Sequence, residues 1–258
     1  MPLSMIKPAH TTVICSTYDR RMRNVFVMLK YSLMERKFIF SVDEFYHLYS
    51  RGVDKRAVFD DDKDRLRFIK LLFICNHSQP IVFRDLETDH SLADIFDFPA
   101  DQSLVDIGAY CLMPNHFHLL VHEKEEGGIS IFMKKLLTAY SKYYNTKNGR
   151  KGALFDGNFK AKHLDTDNYL KYIYAYIHLN PVKLIYSKWK EEKGLLDFEL
   201  AKNFIENYTY SSYDDYVGKN RKSGKVLNKE AFPNYFEGLT GFKEMLDFWL
   251  EYGEEESE

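Results

Sequence analysis

The sequence predicts an α+β fold in which helices cover one face of an antiparallel, ferredoxin-like (RRM-like) sheet. Two observations support this prediction. Strand-type and helix-type segments follow one another in the order strand, helix, strand, strand, helix, strand, and the two middle strands are joined by a Pro-Asn turn. An appended helix and a mainly helical C-terminal extension follow this core.

The first strand and the first helix are predicted from side-chain pattern and from a helix-start signal. Residues 44–50 form an aromatic-rich, roughly alternating run, which is typical of a strand. Three aspartates at 60–62 supply an N-cap and first-turn acids, and apolar residues then continue at helical spacing to about Asn76. The acidic, irregular residues 85–102 predict a loop or a short helix.

The second half of the core begins with a hairpin. Residues 105–113 and 116–122 predict two strands, and Pro114-Asn115 between them is a tight-turn signal. The remaining predictions are a helix over 129–145 with Ile131 on its apolar side, a strand over 159–163, the appended helix over 166–180 that ends before Pro181, and a helix over 241–252.

Composition divides the chain into three parts and excludes several classes of protein. We expect an N-terminal extension of unclear order over 1–40, a core domain over 41–190 and an acidic extension over 191–258. Because no run of about 18 apolar residues occurs, the sequence predicts no membrane span. The three cysteines are scattered and form no CxxC pair, so we expect a cytoplasmic protein without a disulfide framework.

Charge is distributed unevenly along the chain. The formal net charge is −2, but residues 130–163 contain eight lysines and arginines and one aspartate, whereas residues 191–258 contain eight basic and 16 acidic side chains. The basic segment indicates either a surface that binds a polyanion or an ordinary solvated surface balanced by the acidic tail. Charge alone leaves both interpretations open.

Two histidines two residues apart are the first candidate for chemistry. On a strand, His116 and His118 point to the same face, whereas Phe117 points to the other. Paired imidazoles on one strand can supply half of a metal site. They can equally be half-buried polar residues with hydrogen-bond partners.

The second candidate lies on the appended helix, which carries a stripe of tyrosines. Tyr176 and Asn180 are four residues apart, so their side chains lie one turn from each other. A tyrosine stripe is usually core or interface, and an asparagine directly before a proline commonly closes a helix. Neither candidate decides function by itself.

Together the two segments resemble a known family. Pro-Asn-His116-Phe-His118-Leu-Leu, followed by Tyr176-Ile-His-Leu-Asn180-Pro-Val-Lys, resembles the single-tyrosine HUH transposases, most closely the REP-associated tyrosine transposases, which are relatives of the insertion-sequence-200 enzymes. Residues 46–56 resemble the first strand and turn of that group, and residues 154–160 resemble the stretch ahead of its catalytic helix. The resemblance covers roughly residues 44–190.

The resemblance implies a function and a set of site residues. It implies a transposase that cleaves and rejoins single-stranded DNA through a 5′-phosphotyrosine, with Tyr176 as the nucleophile on the appended, catalytic helix. His116, His118 and Asn180 fall on the positions of the metal ligands, and the implied cofactor is Mg²⁺ or Mn²⁺. His178 falls inside the signature, but its helix position indicates a structural role.

The implied partner is single-stranded DNA in the form of a hairpin, and a homodimer and a monomer are both compatible with the resemblance. Basic side chains that could track its backbone are Arg51, Lys55, Arg56, Lys134, Lys142, Arg150, Lys151 and Lys160. Two alternatives remain open. One is an HUH endonuclease of the replication or plasmid-transfer type, and the other is a non-catalytic module that binds single-stranded nucleic acid.

Overall fold

The computed structural model describes residues 39–79, 94–99, 102–189 and 197–252. The predicted N-terminal extension lies outside these ranges except for its last two residues. Most of the predicted loop or short helix over 85–102 also lies outside them. In the part of that segment that is described, a short 3₁₀ turn spans Ile95–Asp97. Among the helices in the described ranges, none has the length and apolar character needed to span a bilayer.

Four strands in the described ranges form one antiparallel sheet. They are β1 (Phe45–Arg51), β2 (Val105–Met113), β3 (His116–Glu123) and β4 (Lys160–His163), and they lie side by side in the order β2-β3-β1-β4. The sheet confirms the predicted fold class, because consecutive strands β2 and β3 form the hairpin and β1 inserts between β3 and β4.

Helices α1 (Asp62–Ile74) and α2 (Gly128–Lys147) pack on the face of the sheet that carries Phe117. The Phe68 ring of α1 lies 4.9 Å from the Phe117 ring and 5.0 Å from the Tyr140 ring of α2. These fully buried rings form the core of this layer. The prediction that Ile131 lies on the apolar side of α2 is wrong, because its side chain is 48% exposed.

Helix α3 (Asp167–Leu179) is the appended helix, and it packs on the opposite face. Its N-cap is Thr166, whose hydroxyl accepts a hydrogen bond from the Tyr169 backbone. Buried apolar residues of α3 pack with side chains of β2 and β3; this cluster comprises Leu170, Ile173, Tyr174 and Ile177 with Ala109, Cys111, Met113 and Leu120. A 3₁₀ turn over Asn180–Leu184 follows, where Pro181 ends the α-helical hydrogen bonding.

The described part of the C-terminal extension is mainly helical, as predicted. It contains α4 (Phe198–Glu206), α5 (Tyr213–Tyr216) and α6 (Gly238–Tyr252). The segment between α4 and α5 lies along the outer edge of β2, where the backbone of Leu112 donates to the Tyr210 carbonyl. Phe242 of α6 is fully buried against α3. The extension therefore covers a sheet edge and the outer side of α3.

Candidate active site

His116 and His118 lie next to each other at the start of β3. Their rings project from the same face of the sheet, with ring centroids 5.0 Å apart and planes perpendicular. Phe117 between them packs into the core of the opposite layer. The predicted pairing of the two imidazoles is therefore present.

Helix α3 and the 3₁₀ turn that follows it bring Tyr176 and Asn180 to the same place. The Tyr176 ring is half-buried and lies 5.3 Å from the His118 ring, measured between centroids. Asn180 is 1% exposed, and its side-chain amide donates to the Tyr176 carbonyl at 3.3 Å. The structure thus brings together the four side chains that the sequence assigned to one site.

A third histidine, His47, belongs to this cluster and was not predicted. It lies on β1, which pairs with β3, and its Nε2 is 2.8 Å from Nδ1 of His118. The His47 ring also lies 5.6 Å from the Tyr176 ring. The alternation of β1 places His47 on one face with Tyr49 and Arg51, but only the register of β1 on β3 makes that face the one that carries His118.

Asn115 in the hairpin turn contacts Nδ1 of His116, as His47 contacts Nδ1 of His118. Its Oδ1 lies 2.6 Å from Nδ1 of His116, and its Nδ2 donates to the Lys55 carbonyl at 3.0 Å. The second hydrogen bond sets which end of the amide faces the ring, so His116 donates from Nδ1 and keeps its Nε2 lone pair.

Burial keeps His47 and His118 in the neutral form. Burial, together with the positive charge of Lys162, lowers the pKa of His47 to about 3. Burial, and then the neighbouring imidazoles, hold the pKa of His118 well below its usual value. Both rings are therefore uncharged at neutral pH, the state in which an imidazole can bind a metal ion.

His116 behaves similarly. Burial is the main cause that lowers its pKa to about 4, and the positive charges of Arg51 and Lys183 act in the same direction, against a smaller opposing effect of the Asn180 side chain. Lys183 also places its Nζ 5.1 Å from the centroid of the Tyr176 ring. The site is thus rich in positive charge beside the imidazoles and the phenol, which suits an anionic substrate.

Two polar atoms at the site are buried without a hydrogen-bond partner among the described residues. They are Nε2 of His118 and Oδ1 of Asn180. A buried polar atom without a partner is costly unless something else satisfies it, and a cation can satisfy an atom that offers a lone pair. In the described ranges, no three histidine, cysteine, aspartate or glutamate side chains form a group that could hold a metal ion. Two imidazoles and one amide oxygen are the donors that this site could offer to a divalent ion.

The predicted DNA-contacting side chains fall into two groups. Arg51 pairs with His116 across β1 and β3, and Lys160 pairs with Tyr49 across β4 and β1, so both lie on the face of the sheet that carries the site. The exposed Lys134 and Lys142 lie on α2, in the layer on the other face. The structure does not bring these two groups together.

The other predicted basic side chains lie around the turns next to β1 and after α2. Lys55 and Arg56 are exposed, and Arg56 forms an ion pair with Asp54 at 3.4 Å. Arg150 stacks on Tyr144, 5.8 Å from the ring centroid, and the neighbouring Lys151 is exposed.

Part of the basic segment has an internal role. Lys147 of α2 contacts Asp61 at 2.8 Å and the buried Asp64 at 2.6 Å, which ties α2 to the start of α1. Lys135 donates to the backbone carbonyl of His77 at 2.5 Å. The interpretation of residues 130–163 as one polyanion-binding surface is therefore too broad for these two lysines.

Comparisons with known proteins found a matching family model and solved structures with some similarity to this chain. A family model described as "Transposase IS200 like" matches residues 46–180, a range that contains all four predicted site residues and His47. Among solved structures, the chain is similar to one described as "Structure of the REP associates tyrosine transposase bound to a REP hairpin", with a TM-score of 0.44 and 13% identity, covering 79% of this chain and 98% of that one. It is also similar to "Bacterial tRNA(HIS) Guanylyltransferase (Thg1)-Like Protein in complex with ATP", with a TM-score of 0.35 and 11% identity, covering 78% and 83%. No curated protein sequence is significantly similar to it.

Proposed function

This chain belongs to the IS200-like transposase family, and from that premise we propose that it cleaves and rejoins single-stranded DNA through a covalent 5′-phosphotyrosine at Tyr176. Transposases of this family are DNA-cleaving enzymes. The proposal adds the covalent route, the residues that perform it and the form of the substrate. In this proposal, the catalytic domain of the protein comprises residues 41–190, and residues 191–258 form an extension.

One observation carries the proposal. A half-buried phenol lies 5.3 Å, ring to ring, from a buried histidine whose Nε2 has no hydrogen-bond partner in the described ranges, and a buried amide oxygen without such a partner lies one helical turn beyond that phenol. A tyrosine that only packs in a core does not require buried polar atoms without partners beside it. A phenol nucleophile beside two imidazoles and an amide can support a metal-assisted attack on a phosphodiester.

The chemistry conserves the phosphodiester bond. The Tyr176 hydroxyl loses its proton and its oxygen attacks the scissile phosphorus, the bond from phosphorus to the 3′ oxygen breaks, and the departing 3′ oxygen takes up a proton. Attack by another 3′-hydroxyl reverses these steps, joins two strands and returns the proton to Tyr176. Strand joining therefore requires no nucleotide cofactor.

His116, His118 and Asn180 would hold the divalent ion, Mg²⁺ or Mn²⁺. When bound, the ion withdraws charge from the non-bridging phosphate oxygens as negative charge accumulates there. The contribution of the chain is to present two neutral imidazoles and one amide oxygen next to the nucleophile, and to hold α3 against β2 and β3 so that Tyr176 stays within reach.

The half of the sheet not covered by α3 offers a path for the strand. Lys160 and Lys162 of β4 are exposed and pair with Tyr49 and His47 of β1, on the same face as the site. Exposed Arg51 lies at the end of β1 next to His116. Positive side chains next to an aromatic ring, here that of Tyr49, suit a single strand, because its phosphates and its bases are both accessible. The expected substrate is a single-stranded DNA hairpin, as the resemblance to the REP-associated group implies.

A covalent adduct tests the proposal directly. The protein is incubated with Mn²⁺ and a pool of labelled single-stranded DNA hairpins and then denatured, so that only covalently attached DNA stays with the protein. We expect an adduct with the unchanged protein and none with Tyr176→Phe, because the variant lacks the attacking oxygen. Tyr172→Phe is the matched control, since Tyr172 is also half-buried, lies one turn earlier on α3 and contacts the Tyr176 ring.

Two outcomes contradict the proposal. An adduct that survives in Tyr176→Phe means that another residue is the nucleophile. Hairpin binding without any adduct in the unchanged protein supports a non-catalytic binding module instead.

A further inference from the structure

His47 and His118 share a hydrogen bond that has two assignments. The distance from Nε2 of His47 to Nδ1 of His118 is 2.8 Å, and the two side chains are 4% and 5% exposed. Because both atoms are ring nitrogens, one must carry the proton and the other must accept it. Either His47 donates from Nε2, or His118 donates from Nδ1.

Only the second assignment leaves His118 able to bind a cation. If His118 accepts at Nδ1, its own proton lies on Nε2, and Nε2 then has no lone pair in the ring plane to offer. If His118 donates from Nδ1, the lone pair on Nε2 points into the site. Nε2 of His118 is the atom that is buried without a partner among the described residues. Donation from Nδ1 therefore gives Nε2 a free lone pair, and a cation bound there would satisfy this otherwise unpartnered atom.

We propose that His47 is a positioning residue that accepts a hydrogen bond from Nδ1 of His118 and thereby holds His118 in the tautomer that presents Nε2 to a divalent cation. The inference rests on the proposed function, since it deepens the assignment of His118 as a metal ligand. His47 is outside the ligand set, and its own effect is exerted only through His118.

The other histidine of the pair supports this interpretation. Nδ1 of His116 faces Oδ1 of Asn115 at 2.6 Å, and the amide of Asn115 is oriented by the Lys55 carbonyl. His116 and His118 therefore each have an acceptor at Nδ1 and leave Nε2 for the site. Metal-binding histidines in proteins commonly have such an acceptor on the other ring nitrogen.

Ring geometry agrees with this hydrogen bond. The rings of His47 and His118 are within 26° of coplanar and their centroids lie 5.0 Å apart, and the His47 ring meets the Tyr176 ring edge-on at 5.6 Å. His47 thus restrains the orientation of the His118 ring as well as the position of its proton. It reaches this place because β1 lies next to β3 in the sheet.

The experiment compares two variants of His47 with one control. In His47→Gln the side-chain oxygen reaches about the position of Nε2 and still accepts a hydrogen bond, whereas His47→Leu removes the acceptor. The control is His77→Leu, because His77 is equally buried at 4% exposure but hydrogen-bonds the Phe73 carbonyl, away from the site. The readouts are Mn²⁺ affinity without DNA, measured by electron paramagnetic resonance, and the protonated nitrogen of His118, measured from side-chain ¹⁵N shifts in the metal-free protein.

We expect His47→Leu to weaken Mn²⁺ binding by about 10- to 100-fold, the usual effect of losing the hydrogen-bond partner of a metal ligand. We expect His47→Gln to restore most of the affinity and His77→Leu to leave it unchanged. In the unchanged metal-free protein, we expect the His118 proton on Nδ1.

The outcomes separate this inference from the proposed function. If the unchanged protein and His118→Ala bind Mn²⁺ equally, the metal site is wrong and the role of His47 is wrong with it. If His118→Ala loses Mn²⁺ but folded His47→Leu binds as tightly as the unchanged protein, the site stands and the inference about His47 is overturned. If His47→Leu does not fold, the ¹⁵N shifts of the unchanged protein still decide, because a proton on Nε2 of His118 overturns the inference.

Discussion

Lys183 is the cation nearest the proposed nucleophile for which the structure defines a contact. It lies in the 3₁₀ turn directly after α3, three residues beyond Asn180, and its Nζ is 5.1 Å from the centroid of the Tyr176 ring. Its charge also reaches His116 and His118, where it lowers both pKa values after the larger effect of burial. In the proposed reaction, an ammonium at this position would stabilise negative charge that develops on the phenol oxygen or on the phosphate.

We therefore expect Lys183→Gln to slow adduct formation by about 10- to 100-fold, the range for loss of one group that stabilises transition-state charge. Single-turnover cleavage at saturating DNA measures this rate. Lys171→Gln is the control, because Lys171 makes the same kind of contact 5.0 Å from the Tyr235 ring. Equal rates for Lys183→Gln and Lys171→Gln would show that Lys183 has no part in the reaction.

At the scale of elements, β4 and α2 carry basic side chains on opposite sides of the sheet. Lys160 and Lys162 alternate with Ala161 on β4 and are exposed on the face of the site, whereas Lys134 and Lys142 are exposed on α2. If the protein acts as proposed, a DNA strand that reaches Tyr176 would pass Lys160 and Lys162. The sequence predicted contacts from both elements because charge along a chain does not tell which side of a sheet it reaches.

The double variant Lys160→Gln, Lys162→Gln should bind single-stranded DNA more weakly. We also expect the slope of log affinity against log salt concentration to become shallower by about 1.4, from about 0.7 for each phosphate contact on a single strand. Fluorescence anisotropy at several salt concentrations measures both quantities. Lys134→Gln, Lys142→Gln is the matched pair, and a larger loss in that pair would place the DNA on the other face.

At the scale of the whole molecule, the C-terminal extension and α3 share one apolar cluster. Phe242 of α6 is fully buried, stacks on Tyr216 at 4.8 Å and meets His178 of α3 at 5.1 Å. His178 in turn lies 2.8 Å from the hydroxyl of Ser212 in the extension. These contacts support the structural role inferred for His178 and connect residues 197–252 to the helix that carries Tyr176.

Phe242→Ala should lower the free energy of unfolding by about 3–5 kcal/mol, because it leaves a large cavity in this cluster. Phe248→Ala on the same helix should cost less than about 1 kcal/mol, since Phe248 is 53% exposed. Urea unfolding of the three proteins gives the comparison. A small loss for Phe242→Ala would mean that α6 is not required to hold α3.

Acid should destabilise the protein through its buried histidines. Burial is the main cause that lowers the pKa of His178 to about 4, and His47 and His116 are lowered to about 3 and about 4. Between pH 6.5 and about 4 these imidazoles take up protons in the unfolded chain but not in the folded one, so stability falls as pH falls.

Each of these histidines contributes up to about 1.4 kcal/mol per pH unit to that slope. Urea unfolding in the presence of a chelator, repeated from pH 7 to pH 4, measures it. The slope should be shallower in His178→Asn, which lacks one of the titrating groups. Stability that rises as the pH falls through this window would contradict the assignment of neutral, buried histidines.

The sequence by itself determined the elements and the local geometry of the candidate site. Strand alternation placed His116 and His118 on one face, helical spacing placed Tyr176 and Asn180 one turn apart, and the order of elements predicted the observed α+β fold. These relations depend on neighbours within a few residues, and backbone geometry sets them directly. The catalytic and metal-binding roles themselves remain predictions.

Only the tertiary structure decided which distant residues meet. His47 and His118 are 71 residues apart, and strand register alone brings their rings to within hydrogen-bonding distance. Packing likewise placed Lys147 against Asp64, left Ile131 in solvent and separated the lysines of α2 from the site. The physical reason is that pairing and packing between elements depend on the burial of whole surfaces, which no short stretch of sequence specifies.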